Sequence, residues 1–267
     1  MMGMISTALI VSTYNWPDAL KLCLLSIKNQ TRLPDEIIIA DDGSTEETKF
    51  LLEDFKKSFD IPLIHVWQPD EGFQLSRIRN KAIARASKDY IIQIDGDLIL
   101  HKKFIADHVN FAKSGSYATG SRVMINEEFS QKLLKQQQID ISIFSQGLSN
   151  VSNGIRNSFL KNYLANRYRI SDMYYMRGCN MAFWRNDLLK VNGYNEEFIG
   201  WGREDNEIAV RLINLGVSKR VLKFGAVVFH IHHKVTPRSS LEKNDQMLFA
   251  AIKNKTVRIS KGVDQYL

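Results

Sequence analysis

Tyr90-Ile91-Ile92-Gln93-Ile94-Asp95-Gly96-Asp97 is the stretch on which the fold turns. A short apolar run that stops on acids reads as a buried strand delivering carboxylates to one edge of a sheet. Upstream, residues 8–12 form a similar run that ends in Ser12-Thr13-Tyr14-Asn15. Glu36-Ile37-Ile38-Ile39-Ala40 is another, ending in Asp41-Asp42, and residues 61–67 read as a further strand. Helical patterns separate them. Residues 18–29 carry Leu20, Cys23, Leu24 and Ile27 at helical spacing, and Pro34 breaks the chain before the next strand. Asp41-Asp42-Gly43-Ser44 has the chemistry of a turn that caps a helix over 46–57, and residues 76–86 form one more helix. This alternation predicts an α/β fold, a parallel sheet with helices on both faces. Ligands collect at the carboxyl ends of such strands. Three polar clusters are expected there: Ser12 to Asn15, Asp41-Asp42, and Asp95-Gly96-Asp97.

The second half is less regular. Residues 127–169 are rich in Gln, Asn, Ser and Lys and show no long strand. Within them, residues 156–169 interleave aromatic and basic side chains as a short amphipathic helix would. Such a helix suits an anionic bilayer or lipid phosphate, or packs one face on the core as an ordinary surface helix. Globular patterning returns at 174–184, in a helical region at 198–215 and in a strand at 221–230, and a polar tail carries a helix at about 241–252. The chain has no internal repeat and no low-complexity linker.

Bulk properties narrow the classes. The 267 residues are enough for a substantial core, with 44% hydrophobic and 24% charged side chains. Two cysteines make no disulfide framework, the start carries no basic leader pattern, and no apolar stretch reaches membrane-spanning length. The expectation is a cytoplasmic protein, with peripheral contact at the inner face of the membrane. A net charge of +7, from 36 basic and 29 acidic residues, suits a phosphorylated substrate or an anionic surface as well as general solubility. Nucleic acid is not expected, because zinc-finger spacing and RNA-recognition aromatics are both missing.

Three groups carry chemistry. Asp95 and Asp97 flank Gly96, which allows a bend, so that one carboxylate can reach a ribose while the other holds a divalent ion; a plain acidic turn is the alternative. His230 and His233 stand three apart after an apolar run and can converge on the same metal, with His232 turned away. Imidazoles beside a carboxylate favour manganese-like ions over magnesium. Glu204-Asp205 follows Gly200-Trp201-Gly202-Arg203. These acids either complement a helix dipole or deprotonate an acceptor hydroxyl beside an aromatic platform carried on a movable loop.

The chain resembles a family 2 glycosyltransferase of the GT-A fold. The likeness rests on Val11-Ser12-Thr13-Tyr14-Asn15, Ser26-Ile27-Lys28-Asn29-Gln30-Thr31, Ala40-Asp41-Asp42-Gly43-Ser44, Arg79-Asn80-Lys81-Ala82-Ile83 and Asp95-Gly96-Asp97, in family order over roughly the first 125 residues. The later part resembles the galactosyltransferase-like module of chondroitin polymerases and β-1,4-galactosyltransferases. Its matches are Arg177-Gly178-Cys179-Asn180-Met181-Ala182-Phe183, Gly200-Trp201-Gly202-Arg203-Glu204-Asp205 and Phe229-His230-Ile231-His232-His233.

The resemblance implies roles. Ser12, Thr13, Tyr14 and Asn15 would line a nucleoside pocket, Asp42 would contact uracil or ribose, and Arg79 would lie near the base or diphosphate. Asp95, with Gly96, would touch the ribose. Asp97, His230 and His233 would bind the metal. Asp205 would be the catalytic base, Glu204 would hold acceptor hydroxyls, and Trp201, Gly202, Arg203 and Asn180 would line the acceptor site. The implied reaction is inverting, metal-dependent transfer of galactose, N-acetylgalactosamine or a similar sugar from a UDP-sugar to a glycan or lipid-linked saccharide in bacterial surface polysaccharide synthesis. The implied metal is manganese, with magnesium as the other candidate. The competing readings are a nucleotide-sugar-binding subunit without catalysis and a nucleotidyltransferase; the latter normally carries a glycine-rich basic phosphate loop that residues 12–17 do not have. The expected layout is a nucleotide-sugar half at 1–125, a variable insertion at 126–170, an acceptor and catalytic half at 171–236, and a helical tail at 237–267.

Overall fold

A computed structural model describes residues 5–169, 171–234 and 238–267; the expected boundaries at 170 and 236 lie outside the described residues. The first half runs β1 (Thr7–Thr13), α1 (Pro17–Lys28), β2 (Glu36–Asp41), α2 (Glu46–Lys56), β3 (Leu63–Trp67), α3 (Leu75–Arg85) and β4 (Tyr90–Asp95). It continues through β5 (Leu98–Leu100), α4 (Phe104–Phe111), β6 (Ser116–Thr119), β7 (Val123–Ile125), α5 (Glu127–Gln136), β8 (Leu148–Ser149) and α6 (Ser158–Leu164). The chain closes with β9 (Asn180–Trp184), α7 (Arg185–Lys190), α8 (Glu204–Asn214), β10 (Ser218–Val221), β11 (Val228–His230) and α9 (Leu241–Lys253).

The main sheet has the order β10-β6-β9-β4-β1-β2-β3. Every residue of β1 and β2 is buried, which is why their sequences are near-continuous apolar runs. Successive side chains leave opposite faces. Leu9 and Val11 join one core with α1, α2 and α4, while Ala8 and Ile10 join another with α3 and α8. Pro17 opens α1, where a missing N–H costs nothing. The registers pair Ser12 with both Ala40 and Asp95, and Thr13 with Asp41, so three strand ends meet along one edge.

The sheet is mixed rather than wholly parallel. Strand β9 is antiparallel and lies between β4 and β6, with Asn180 opposite Ile94. It therefore starts where β4 stops, and residues 177–179 arrive beside Asp95. A second sheet, β5-β11-β7-β8, pairs β11 antiparallel to β5 with His230 opposite Leu98. That pairing sets His230 against the end of the Asp95-Gly96-Asp97 turn.

Three expectations in the second half need correction. Residues 221–230 are not one strand: β10 ends at Val221, β11 begins at Val228, and Phe224 and Ala226 between them take positive φ. The helical region at 198–215 is helix only from Glu204, because the glycine loop before it includes left-handed residues at Gly200, Gly202 and Arg203. The amphipathic helix of 156–169 shrinks to Ser158–Leu164. Its basic side chains are not all outward: Lys161 is buried, and Arg156 donates two hydrogen bonds to the Asp107 carboxylate, at 2.8 and 2.7 Å.

Candidate active site

A cleft of about 620 Å³ opens at the carboxyl edge of the sheet and collects side chains from distant parts of the chain. Arg79, Asp95, Asp97, Trp201, Gly202, Arg203, Glu204, Asp205, His230 and His233 all line it. These were the expected residues, and the fold brings them together.

Asp97 and the histidines form one corner. Asp97 Oδ2 lies 3.5 Å from His230 Nε2 and 3.3 Å from His233 Nε2. One ligand atom from each of the three falls within 4.8 Å of the others. The corner is held by backbone as well, since Ile231 N–H donates to the Asp97 carbonyl at 3.0 Å. Residues two apart on a regular strand share a face, so the turn at Gly96 is what separates Asp97 from Asp95. A side chain at position 96 would meet the Ser12 carbonyl oxygen at 3.1 Å and the Thr13 side chain at 3.3 Å.

The corner fits a divalent cation. Asp97 Oδ1 and His230 Nδ1 are buried without a hydrogen-bond partner among the described residues, a costly state unless something else satisfies them. Burial, and then the charge of Asp95, pushes Asp97 up to about 8. Burial, with Arg122 and His233 nearby, pushes His230 down to about 3, leaving it neutral and able to ligate.

Arg79 organises the opposite acids. It is almost wholly buried. Its Nη1 donates to Asp205 Oδ1 at 2.9 Å and stands 3.8 Å from Glu204 Oε1. Nη2 donates to Asp95 Oδ1 at 3.3 Å and Nε to Ser12 Oγ at 3.4 Å. Burial opposes this charge, but Asp205, Tyr194, Asp95 and Glu204 outweigh it and hold the guanidinium above its usual range. Burial raises both Glu204 and Asp205; the mutual repulsion of the pair adds to this at Glu204, and Arg79 restrains both. Glu204 Oε2 has no partner among the described residues. A Cβ on Gly178, just before β9, would overlap Asp205 Oδ2, so any larger residue there would have to displace the carboxylate.

The nucleoside-side residues form a neighbouring cluster. Ser12 and Thr13 are buried, whereas Tyr14 is exposed and donates through its hydroxyl to Asp70 at 2.8 Å. Asn15 takes a left-handed φ of 45° and braces the next loop, accepting from Thr45 N–H at 2.9 Å. Asp42 accepts from Gln68 Nε2 at 2.6 Å and Gln74 N–H at 2.9 Å, and burial pushes it up to about 6. Gly96 N–H, donating to the Ser12 carbonyl at 2.7 Å, joins this cluster to the cleft.

Asn180 is corrected. It is wholly buried, pairs with His108 at 2.9 Å and donates to the Ser121 and Ala226 carbonyls at 3.0 Å each. No polar atom is left for an acceptor, and the side chain instead locks the two sheets together. Trp201 is partly exposed with the Arg238 guanidinium 5.0 Å from its ring centre. Arg203 bonds Asp245 at 2.5 Å, and the Gly202 carbonyl accepts from Asn244 at 2.8 Å, so α9 carries the loop. Sequence reasoning missed Arg122 and Arg177 as cleft residues. The signal for Arg177 was its place immediately before Gly178; an isolated Arg122 gives none.

The mixed sheet, its second small sheet and the acid-lined edge define a GT-A glycosyltransferase fold. Among solved structures, the chain superposes on Staphylococcus aureus TarS with a TM-score of 0.64 at 15% identity, over 98% of this chain and 41% of that one. It superposes on the Pyrobaculum calidifontis mannosyltransferase PcManGT in complex with GDP-Man and Mn2+ with a TM-score of 0.62 at 16% identity, over 98% and 66% of the two chains.

Residues 8–191 match glycosyl transferase family 2, and the chain belongs to that family. Residues 163–234 match a second family, described as the N-terminal domain of galactosyltransferase. The Escherichia coli chondroitin synthase is 28% identical over 94% of this chain and 37% of its own length. The Pasteurella multocida hyaluronan synthase is 27% identical over 85% of this chain and 24% of its own length. The chain thus spans about a third or less of these relatives. Among the described residues, no helix is long and apolar enough to cross a membrane.

Proposed function

We propose that this glycosyltransferase moves a hexose or N-acetylhexosamine from a UDP-sugar to a glycan acceptor with inversion, in the synthesis of a bacterial surface polysaccharide. The observation that carries the reading is the convergence in one cleft of the Asp97–His230–His233 set and the Glu204–Asp205 pair. The synthases of chondroitin and hyaluronan among its relatives support the polysaccharide assignment. A cytoplasmic setting agrees with two free buried thiols, Cys23 and Cys179.

Asp97, His230 and His233 would hold a divalent ion, manganese by the mixed nitrogen and oxygen donors. When bound, that ion neutralises charge on the diphosphate leaving group. Ser12, Thr13, Tyr14, Asn15 and Asp42 take the nucleoside in this reading, and Asp95 takes the ribose. Asp205 accepts the proton of the attacking hydroxyl. The acceptor oxygen forms its bond to the anomeric carbon as the bond to UDP breaks on the opposite face. Arg79 keeps Asp205 ionised and aimed, and the exposed face of Trp201 supports the acceptor sugar. Burial raises the basicity of Asp205, which suits a general base working near neutral pH.

The test is a thermal-shift panel of UDP-, GDP- and dTDP-sugars with and without manganese. A ligand that binds the folded state raises its melting temperature. Manganese-dependent stabilisation by UDP-sugars is expected. Stabilisation by GDP- or dTDP-sugars alone overturns the donor assignment.

A further inference from the structure

Arg122 lines the cleft with a charge that the protein itself does not answer. Arg79 is matched by Asp95, Glu204 and Asp205, and Arg203 by Asp245. Arg122 is half-buried, yet among the described residues no carboxylate lies within ion-pair reach of it. Among the same residues, its side chain finds one acceptor, the Cys179 Sγ at 3.8 Å from Nη1. A guanidinium has five N–H donors, and a thiol is a weak acceptor for one of them. A cation partly withdrawn from water in this way favours an anion in the cavity it faces.

Two strand pairings fix where that guanidinium stands. β7 runs parallel to β11, with Met124 beside His230 and Val123 beside Phe229. Aligned residues of neighbouring strands leave the same face, and so do residues two apart on one strand. Arg122, directly before β7, therefore shares a face with Met124 and His230, and all three line the cleft. On the other side, Asn180 opens β9 opposite Ile94, so Cys179 falls level with Asp95. The contact with Cys179 thus sets Arg122 between the His230 corner and the strand end that carries Asp95. The main chain is pinned too, because the Arg122 carbonyl accepts from Asn153 Nδ2 at 2.7 Å.

We propose that Arg122 binds the diphosphate of the donor beside the metal corner and takes part of the charge left on UDP as it departs. This rests on the glycosyltransferase reading of the cleft and adds the side chain that shares the leaving charge. A divalent ion on one ionised carboxylate leaves a single net positive charge. The diphosphate of a nucleotide sugar carries about two negative charges, and free UDP about three. The increase comes when the bond from the anomeric carbon to the bridging oxygen breaks and its electron pair stays on the phosphate. The metal corner alone therefore falls short at both stages, and most in the second. A fixed guanidinium with parallel N–H donors supplies the missing charge where it develops. The other two arginines without an ion pair are engaged differently. Arg177 Nη2 donates to the Tyr175 hydroxyl at 3.0 Å, and Arg238 is exposed over the Trp201 ring.

The experiment measures binding of UDP and of uridine to the full chain by calorimetry at fixed manganese, uridine by displacement at millimolar concentration. Arg122→Gln should bind UDP roughly 10- to 100-fold more weakly than the unsubstituted chain. Uridine, which has no phosphate, should bind both equally. Arg122→Lys keeps the charge without the fork and should recover part of the loss. Arg122→Met keeps an apolar stem against Cys179 and repeats the measurement should the Gln variant fail to fold, which its melting temperature without ligand reports.

Unchanged UDP affinity in the neutral variants overturns the assignment. An equal loss for UDP and uridine overturns it as well, because Arg122 would then only shape the cleft through Cys179. So does a loss of UDP affinity in Arg177→Gln with none in Arg122→Gln, which would give the diphosphate to the other arginine. Failure of the glycosyltransferase reading looks different: the unsubstituted chain itself does not bind UDP in the presence of manganese.

Discussion

The two acidic stations of the cleft are built from the same side chains and solved in opposite ways. At Glu204-Asp205, burial raises both carboxyls, and the chain answers with its own cation, a buried Arg79 that donates to Asp205 at 2.9 Å. At Asp97, burial also raises the carboxyl, but the near neighbours include His230, driven neutral, and an oxygen with no partner. Asp95, one glycine away, belongs to the Arg79 network instead. The station with an internal cation is mostly satisfied within the protein, with Glu204 Oε2 left without a partner among the described residues. The other keeps buried atoms without partners that a cation would satisfy, as the proposed metal dependence requires.

The sharpest test of that contrast is Asp205→Asn. Removing a general base costs roughly 10²- to 10⁴-fold in rate. Transfer should fall by that amount while UDP binding, read by calorimetry with manganese, stays as it was. Normal turnover would move the base to Glu204. Next comes Arg79→Ala, which strands Asp205 and Glu204 without their cation. Breaking one side of a buried ion pair costs about 3–5 kcal/mol, and denaturant unfolding should show a loss of that size, partly recovered in Arg79→Lys. An unchanged midpoint would mean that the acids never needed an internal partner.

A smaller effect is expected on the metal side. His230→Ala and His233→Ala should each raise the manganese concentration needed for UDP binding by roughly tenfold or more, equivalent to about 1.4 kcal/mol. The far-ultraviolet circular dichroism should not change. Unaltered metal dependence in both variants would remove the histidines from the ligand set and, with them, the second half of the comparison.

How far these stations were legible depended on how local their determinants are. β1, β2 and β4 are buried on both faces, so their apolar runs stand out in the sequence. The acids that end them follow directly. Asp97, His230 and His233 could be grouped because each falls beside the end of an apolar run, although the antiparallel pairing of β5 and β11 that joins them is invisible in one dimension. Asn180 shows the limit. Its motif marks a crowded position, but only the inserted antiparallel strand shows that its amide is enclosed between two sheets. Arg122 follows β6 by a short turn, and nothing nearby in sequence announces a charge bound for the cleft. Residues 221–230 were misread as one strand because composition does not reveal the positive φ of Phe224 and Ala226.

The smallest predicted effect concerns the nucleoside side, where Asp42 is raised to about 6 mainly by burial, despite hydrogen bonds from Gln68 and Gln74 that favour its charge. Its sign can be worked through. The folded value lies above the ordinary value of 3.8, so the folded state holds this proton more tightly than the unfolded one. The stability Asp42 contributes is therefore full below about 3.8 and is lost as pH rises through about 6. Donor binding should run the other way. An ionised carboxylate accepts a hydrogen bond from a base or ribose about twice as strongly as a neutral group does, so UDP affinity should increase across pH 5 to 7 by roughly tenfold. Asp42→Asn should flatten that limb in calorimetric titrations and leave the manganese dependence of His230 and His233 intact. A limb that survives in Asp42→Asn would assign the proton to the metal corner, where Asp97 is raised to about 8, and would tie the two ends of the donor site to one titration rather than two.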